Sequence, residues 1–459
     1  MNPITIPNIT IPVIGLPTIS IPSVGFPSAS GGGLAWPKGL KESIKAIYDP
    51  AKQGMTNYDV IEAYAEDFTG WTYRDYRGTA KITNNAIVIT NVVETNNIVE
   101  DAKEPYSDLT IRVTGVTEDK YLIVRQGGGR PETHIKKDGI YIFPNNNLYF
   151  GFAVNKTGDC NITITQLPTS ILKDLSGNGN HAYLYGGKGK LNSGMGVYQE
   201  DFTVYNYRKS EAILTDISPN KFIINEVIGV NGFLYTGKMT SPTITIQVDG
   251  EFNGTNIRYL YGNNGIKFVI ITEPGTYNLP ASDGSTSNNG FFGTEQTGKC
   301  NITIEQIPDY PNQLCYDGSM YAVCYGFPIL EDYTVMADRT WFDIRSVSCF
   351  IGKRNRSGDN LGAFEFEFRA NQALSFGRTN SIIFADSGIV YQTKNSYNGI
   401  GIESGLLDDT DVLIIGAAQQ NINNKPQDVY IGCHGKIIIA DRSFTEDEIT
   451  WLKGNWKKI

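Results

Sequence analysis

The sequence predicts an all-β protein: a sandwich of short strands, interrupted by two homologous inserted β-modules and preceded by an extended Pro-rich N-terminal anchor. Three features carry that prediction. A stretch of roughly one hundred residues occurs twice, which is domain-sized and too long for a solenoid repeat. Much of the remaining chain runs in short alternating apolar segments broken by turn residues, the pattern of a β-sandwich. Composition agrees, since 26 Tyr and 49 Gly against 19% charged residues suit sheets joined by polar loops.

Residues 1–33 form a segment apart. Ile4-Thr5-Ile6-Pro7, Ile9-Thr10-Ile11-Pro12, Ile14-Gly15-Leu16-Pro17, Ile19-Ser20-Ile21-Pro22 and Val24-Gly25-Phe26-Pro27 repeat one pattern: aliphatic, small, apolar, proline. Proline at this spacing forbids a helix, and the residue before each proline is pushed to extended geometry. The two apolar side chains of each unit, two residues apart, share a face of an extended chain. Such a ribbon cannot bury its apolar stripe alone, so it calls for other copies of itself or a groove on another protein. The alternative is a disordered Pro-rich linker, although linkers are usually polar and this segment is rich in Ile. Ser28 to Gly33 then reads as a hinge.

In residues 34–65, Leu40, Ile44 and Ile47 fall at i, i+4 and i+7, which predicts a short helix before Tyr48-Asp49-Pro50. The first module, 66–168, and the second, 200–308, open on Glu-Asp-Phe-Thr (Glu66–Thr69, Glu200–Thr203), followed by Tyr73-Arg74 and Tyr207-Arg208. Thr110 to Gly115 answers Thr245 to Gly250, and Gly139, Tyr141 and Pro144 answer Gly275, Tyr277 and Pro280. Thr157 to Ile164 returns almost unchanged as Thr297 to Ile304, and the copies close on Gln166-Leu167-Pro168 and Gln306-Ile307-Pro308. Between them, 169–199 carries the turn-rich Asp174-Leu175-Ser176-Gly177-Asn178-Gly179-Asn180-His181. Segment 309–459 supplies further short strands, such as Tyr333–Ala337, Ala363–Phe368, Val412–Ile415 and Lys436–Ala440. Its tail changes period: Thr445 and Glu448 have capping-box spacing, with Glu446 and Asp447 at the positive end of the helix they begin.

The segments outside the repeat read as one domain. The Asp174–His181 turn, Tyr316-Asp317-Gly318, Asp332-Tyr333-Thr334-Val335 and the closing Asp441 to Ile449 resemble the laminin-G or concanavalin-like jelly roll. Tyr48 to Asn57, and the stretch from Gln306 to Gly318, resemble such domains in proteins of phages and prophages of Bacteroides-type (crAss-like or related) bacteria and phages. The resemblance implies a jelly roll built from about 37–65, 169–199 and 309–459, with the modules inserted at surface loops, where chain ends lie close. It also implies a virion protein, of a class associated with glycan binding. It does not extend to the modules.

Charge and cysteine usage narrow the function. The net charge of −9 argues against a nucleic-acid groove; the basic run Lys353, Arg354 and Arg356 reads as a solvated loop. No apolar run is long enough for a membrane span, and the start lacks a signal-peptide pattern, so synthesis in a host cytoplasm with release by lysis is expected. Six cysteines show no metal spacing; Cys160 and Cys300 are one site in two copies, each expected to be a small buried group. Cys315 and Cys324 could pair across a hairpin.

Catalytic patterns are weak. Glu365 and Glu367 share a strand face, as glycosidase carboxylates do, but they lack the further acidic residue of that motif and are better read as a solvated face. His134, His181 and His434 have no metal-like spacing. Asp174 and Asp317 offer oxygen ligands of the kind calcium takes, although Asp-Gly turns usually serve backbone geometry. No cofactor is expected. The sequons at Asn161 and Asn301 are not used by a protein made in bacteria.

Aromatic residues are the stronger binding candidates. Trp71, Tyr73 and Tyr76 near one module entrance, and Tyr205 and Tyr207 near the other, could stack on sugar rings; their equivalence in two copies equally fits a core role. The expected protein is therefore a non-enzymatic virion component, a head fibre or capsid decoration. Its N-terminus would bind a capsid or other virion protein, a homotrimer would bury the ribbons, and its β-modules would bind glycans. A tail-side adhesin or a capsule-degrading glycosidase are the alternatives.

Overall fold

A computed structural model describes residues 34–55, 60–101, 108–127, 131–144, 149–187, 200–237, 242–262, 267–285, 288–307, 310–343, 348–353, 365–368, 387–401, 410–420 and 426–459. The expected anchor, Ile4 through Pro27, lies outside these residues, as do the side chains of Glu365 and Glu367. The chain is all-β, built from antiparallel sheets.

Among the described residues, six of the seven sheets sort into three two-sheet bodies; the seventh is the two-stranded pair Gln419–Gln420 and Pro426–Gln427. In the outer body, one sheet runs Ile44–Tyr48, Ile431–Ala440, Thr334–Trp341, Gly388–Thr393, Ser396–Tyr397, Ile400–Gly401, with Leu314–Asp317 also paired to Ile431–Ala440. The facing sheet runs Ile171–Leu172, Ala182–Tyr185, Tyr321–Tyr325, Val412–Ile415, Ser348–Gly352, Glu365–Phe368. Alternate residues of both sheets, among them Tyr48, Leu184, Val335, Phe350, Leu413 and Ile439, meet in one core. Each module is a smaller pair of five-stranded sheets drawn from its own segment, closed on its own core.

The repeated motifs build this scaffold. Phe68 and Phe202 are buried, and Asp67 and Asp201 cap the short helical turn beneath them by accepting from Thr69 and Thr203. Gln166, fully buried, accepts from the Glu66 backbone N–H at 2.7 Å and donates to the Glu66 carbonyl at 2.8 Å. Gln306 makes the same clasp with Glu200. The entering chain of each module is thereby tied to the module's last strand. Gly115 and Gly250 sit at φ +83° and +107°, where an added Cβ would lie 2.0 Å from the carbonyl oxygens of Asn161 and Asn301. A side chain is excluded at both.

Two expectations change here. The helix predicted around Leu40, Ile44 and Ile47 lasts one turn, Leu40–Ser43. Ile44 and Ile47 instead join a strand whose register sets Ile47 against Ile438. β-Branched side chains and a long partner strand outweigh a three-residue helical spacing. The Cys315–Cys324 pairing also fails, because the two residues lie in opposite sheets; Cys315 stands across from Cys433, and none of the six cysteines forms a disulfide. The C-terminal helix, Glu446–Asn455, does form with both bonds of its capping box.

Candidate functional site

Two of the sequence-selected aromatics, Trp71 and Tyr205, prove to be core, whereas Tyr73 (38% exposed) and Tyr76 lie at the surface. Trp71 is 6% exposed and stacks on Phe152 at 5.5 Å, and Tyr205 is 6% exposed with its edge against Phe202. A ring so enclosed has no face to offer a sugar, so both are corrected to core residues. Tyr73 donates to the Gly78 carbonyl and accepts from the Ala80 N–H; Tyr207 does the same with Ala212 and Leu214. In each module the hydroxyl spans the β-bulge between Thr79 and Ala80 or between Ile213 and Leu214, supplying partners that the ladder loses there. Tyr76 is 55% exposed, with the Arg77 guanidinium over its ring.

The acidic and histidine candidates are also occupied. Asp174 accepts from the N–H groups of Ile47, Ser176 and Asn180, while its own N–H donates to His181. Asp317 accepts from Ser319 and Met320. Both carboxylates hold turns, and among the described residues no cluster of three or more His, Cys, Asp or Glu is placed to hold a metal. His434 is buried between sheets: Nδ1 donates to the Gly435 carbonyl at 2.7 Å, leaving Nε2 to accept from Tyr316 at 3.0 Å. Burial pushes its pKa down to about 4, so it stays neutral.

The surface with binding chemistry lies elsewhere, on the outer face of the second module's sheet Asn206–Tyr207, Gly232–Thr236, Asn289–Gly293, Ile257–Gly262, Lys267–Ile271. Period-two alternation turns Ile257, Tyr259, Phe291 and Ile271 inward to the core. The intervening residues face out: register places Phe292 beside Arg258 and Arg258 beside Ile270, with Leu260 beside Phe268 in the next row. Arg208 lies over Tyr235 at 4.7 Å, Tyr235 is 6.5 Å from Phe292, and Arg258 approaches both Phe292 (6.0 Å) and Phe268 (5.8 Å). Two arginines and three rings thus lie in contact across the sheet.

One end of this ladder opens into a cleft of about 520 Å³ lined by Val230, Asn256, Arg258, Phe268, Ile270, Thr294, Glu295 and Gln296. Val230, Phe268 and Ile270 are 44%, 38% and 50% exposed and together form an apolar cluster in the cleft lining. Arg258 donates to the Val230 carbonyl at 3.3 Å, and its Nε is enclosed without a hydrogen-bond partner. Neither Arg258 nor Arg208 has a carboxylate partner among the described residues.

The sister face in the first module has different chemistry on the same frame. There Arg74, at the position of Arg208, donates to Glu100, which stands where Tyr235 does. Arg125 and Glu132 replace Leu260 and Phe268 and form an ion pair at 2.7 Å, while Ile123 and His134 replace Arg258 and Ile270. Tyr149 and Asn97 also donate to Glu100. Although burial raises the Glu100 pKa, bonds from Tyr149 and Arg74 hold it below the usual carboxylate range; Arg125 and then His134 do the same for Glu132. This face satisfies itself.

No protein-family model matches the chain, and no curated protein matches it. Among solved structures it is similar to a Trypanosoma rangeli sialidase in complex with sialic acid, at 10% identity, over 83% of each chain, with a TM-score of 0.24. A second structure, that sialidase with 2,3-difluorosialic acid, aligns at 9% identity over 90% of this chain and 91% of the other, with a TM-score of 0.25. Scores this low do not mark a shared fold, and the likeness carries no functional argument.

Proposed function

We propose that the protein is a non-enzymatic glycan-binding display protein, with the outer face of the second module as its contact surface. One observation carries this reading: aromatic rings, unpaired arginines and a partly apolar cleft are concentrated on one sheet face, where the sister module has a self-paired ionic lattice. Sugar rings present apolar C–H faces edged with hydroxyls. Phe268 and Ile270 offer the apolar floor, and the side-chain amides of Asn256 and Gln296, which make no hydrogen bond in the described chain, offer donors and acceptors at its rim. Binding without turnover is favoured because the cleft lining holds one carboxylate, Glu295, whereas glycoside hydrolysis ordinarily takes two.

The remaining part of the proposal concerns attachment. The proline-punctuated ribbon of residues 1–33 docks on a larger assembly, a virion, and the three β bodies project from it as a head fibre or capsid decoration, with trimerisation burying the ribbons' apolar stripes. Its support is the ribbon's sequence and the resemblance of the outer body's motifs. A glycan array probed with the full chain, alongside the Phe268→Ala variant, tests the binding half. Selective retention on some glycans, lost in the variant, is expected; no retention on any glycan contradicts it. Light scattering of the full chain and of a chain starting at Leu34 tests the ribbon, since equal subunit numbers for both count against self-association through it.

A further inference from the structure

We infer that the second module's cleft selects acidic sugars, with Arg258 reading a carboxylate on the ring that packs against Phe268. The inference rests on the glycan reading above and names the ligand's charge class. Its basis is an electrostatic imbalance. Arg258 is half-buried against Phe268 and Phe292, and its one hydrogen bond among the described residues, to the Val230 carbonyl, spends one of five guanidinium N–H donors. A guanidinium held in an aromatic setting is partly desolvated, and what remains of its donor fork suits a planar carboxylate.

Position and sister chemistry point the same way. Arg258 lines the cleft together with Asn256, Thr294 and Gln296, so an anion at the guanidinium would have neutral hydrogen-bonding groups around it. The only acidic residue in the lining, Glu295, is exposed and makes no ion pair with Arg258, leaving it to accept sugar hydroxyls. The first module meets the same requirement internally: Arg74 and Arg125 on the corresponding face hold Glu100 and Glu132. The second module keeps the cations but has rings, Tyr235 and Phe268, where the first has Glu100 and Glu132. A single arginine beside a glutamate, on a chain of net charge −9, suits one negative charge on a sugar better than a dianionic phosphate.

Packing alone would also put an arginine between two phenylalanines, so the test must separate support from recognition. Isothermal titration of the full chain is run against oligogalacturonate, oligomannuronate and sialyllactose, each beside its methyl ester, which keeps size and hydroxyls but removes the charge. At least one acid is expected to bind roughly tenfold or more tighter than its ester. Arg258→Gln should abolish that ratio while leaving thermal unfolding of the second module in place, and Arg125→Gln in the first module should leave the ratio intact. An acid and ester that bind equally well overturn the charge assignment and leave glycan binding standing. Failure of every saccharide, charged or not, overturns the glycan reading and this inference with it.

Discussion

In the first module Arg74 and Arg125 each lie against a glutamate; in the second, Arg208 and Arg258 lie against aromatic rings and reach no carboxylate among the described residues. The two faces are built on the same strand order and register, with the same bulge braced by the same tyrosine. What differs is how charge is compensated. The first face closes its own ionic lattice and gains little from a ligand, while the second leaves cations and apolar rings exposed together, at a solvation cost that a partner can relieve. Identity between copies therefore marks scaffold, and divergence between copies marks the face proposed for binding.

The largest test of that division concerns residues the copies share in role. Trp71→Ala and Tyr205→Ala should each destabilise their own module by about 3–5 kcal/mol, as removal of a buried aromatic does. Calorimetry of the full chain should show one module's transition lowered and the others held. Weakened sugar binding with unchanged unfolding would return these rings to the binding surface.

The outer body gives a reference that both modules should ignore. Burial depresses the folded pKa of His434 to about 4 from the ordinary 6.5 of an imidazole, so the unfolded chain binds the proton more tightly. The stability this confers is complete above pH 6.5 and is lost as pH falls from 6.5 to 4, by roughly 3 kcal/mol. Acid titration of unfolding should lower the outer body's transition across that window. His434→Phe should flatten the dependence.

The glutamine clasps come next. Gln166→Ala removes two bonds to backbone groups and Gln306→Ala three, and each should cost about 2–3 kcal/mol, to a similar extent in both modules. Denaturant unfolding of the full chain measures this, and a loss confined to one copy would break the equivalence on which the comparison stands. The smallest effect is on the ionic face itself: Glu132→Gln should change stability by less than about 1 kcal/mol, and less again in high salt, because the pair is exposed. A larger loss would mean that the first face holds its module together.

Much of this architecture was legible in the sequence because it rests on backbone needs that only certain residues meet. Gly115 and Gly250, the capping Asp67 and Asp201, and the clasping Gln166 and Gln306 recur for steric and hydrogen-bonding reasons, and Thr445 with Glu448 marked the last helix. The same regularity misdirected the search for a site. Trp71, Tyr73, Tyr205 and Tyr207 stood out because they recur, and they recur because they pack cores and brace bulges. Arg258, Phe268 and Ile270 show no motif; their signal is the mismatch with Ile123, Glu132 and His134, visible once strand register aligns the copies. Cys315 could not be paired from sequence, since its neighbour Cys433 lies over a hundred residues away on an adjacent strand.

Hydrogen–deuterium exchange of the full chain, with and without the tightest-binding saccharide of the titration panel, tests most directly whether binding sits on the second module's divergent face. The account predicts slower exchange in Ile257–Gly262, Lys267–Ile271 and Asn289–Gly293, with Leu122–Gln126 and Thr133–Ile135 unchanged. Protection in the first module's strands, or only in the outer body, would contradict it.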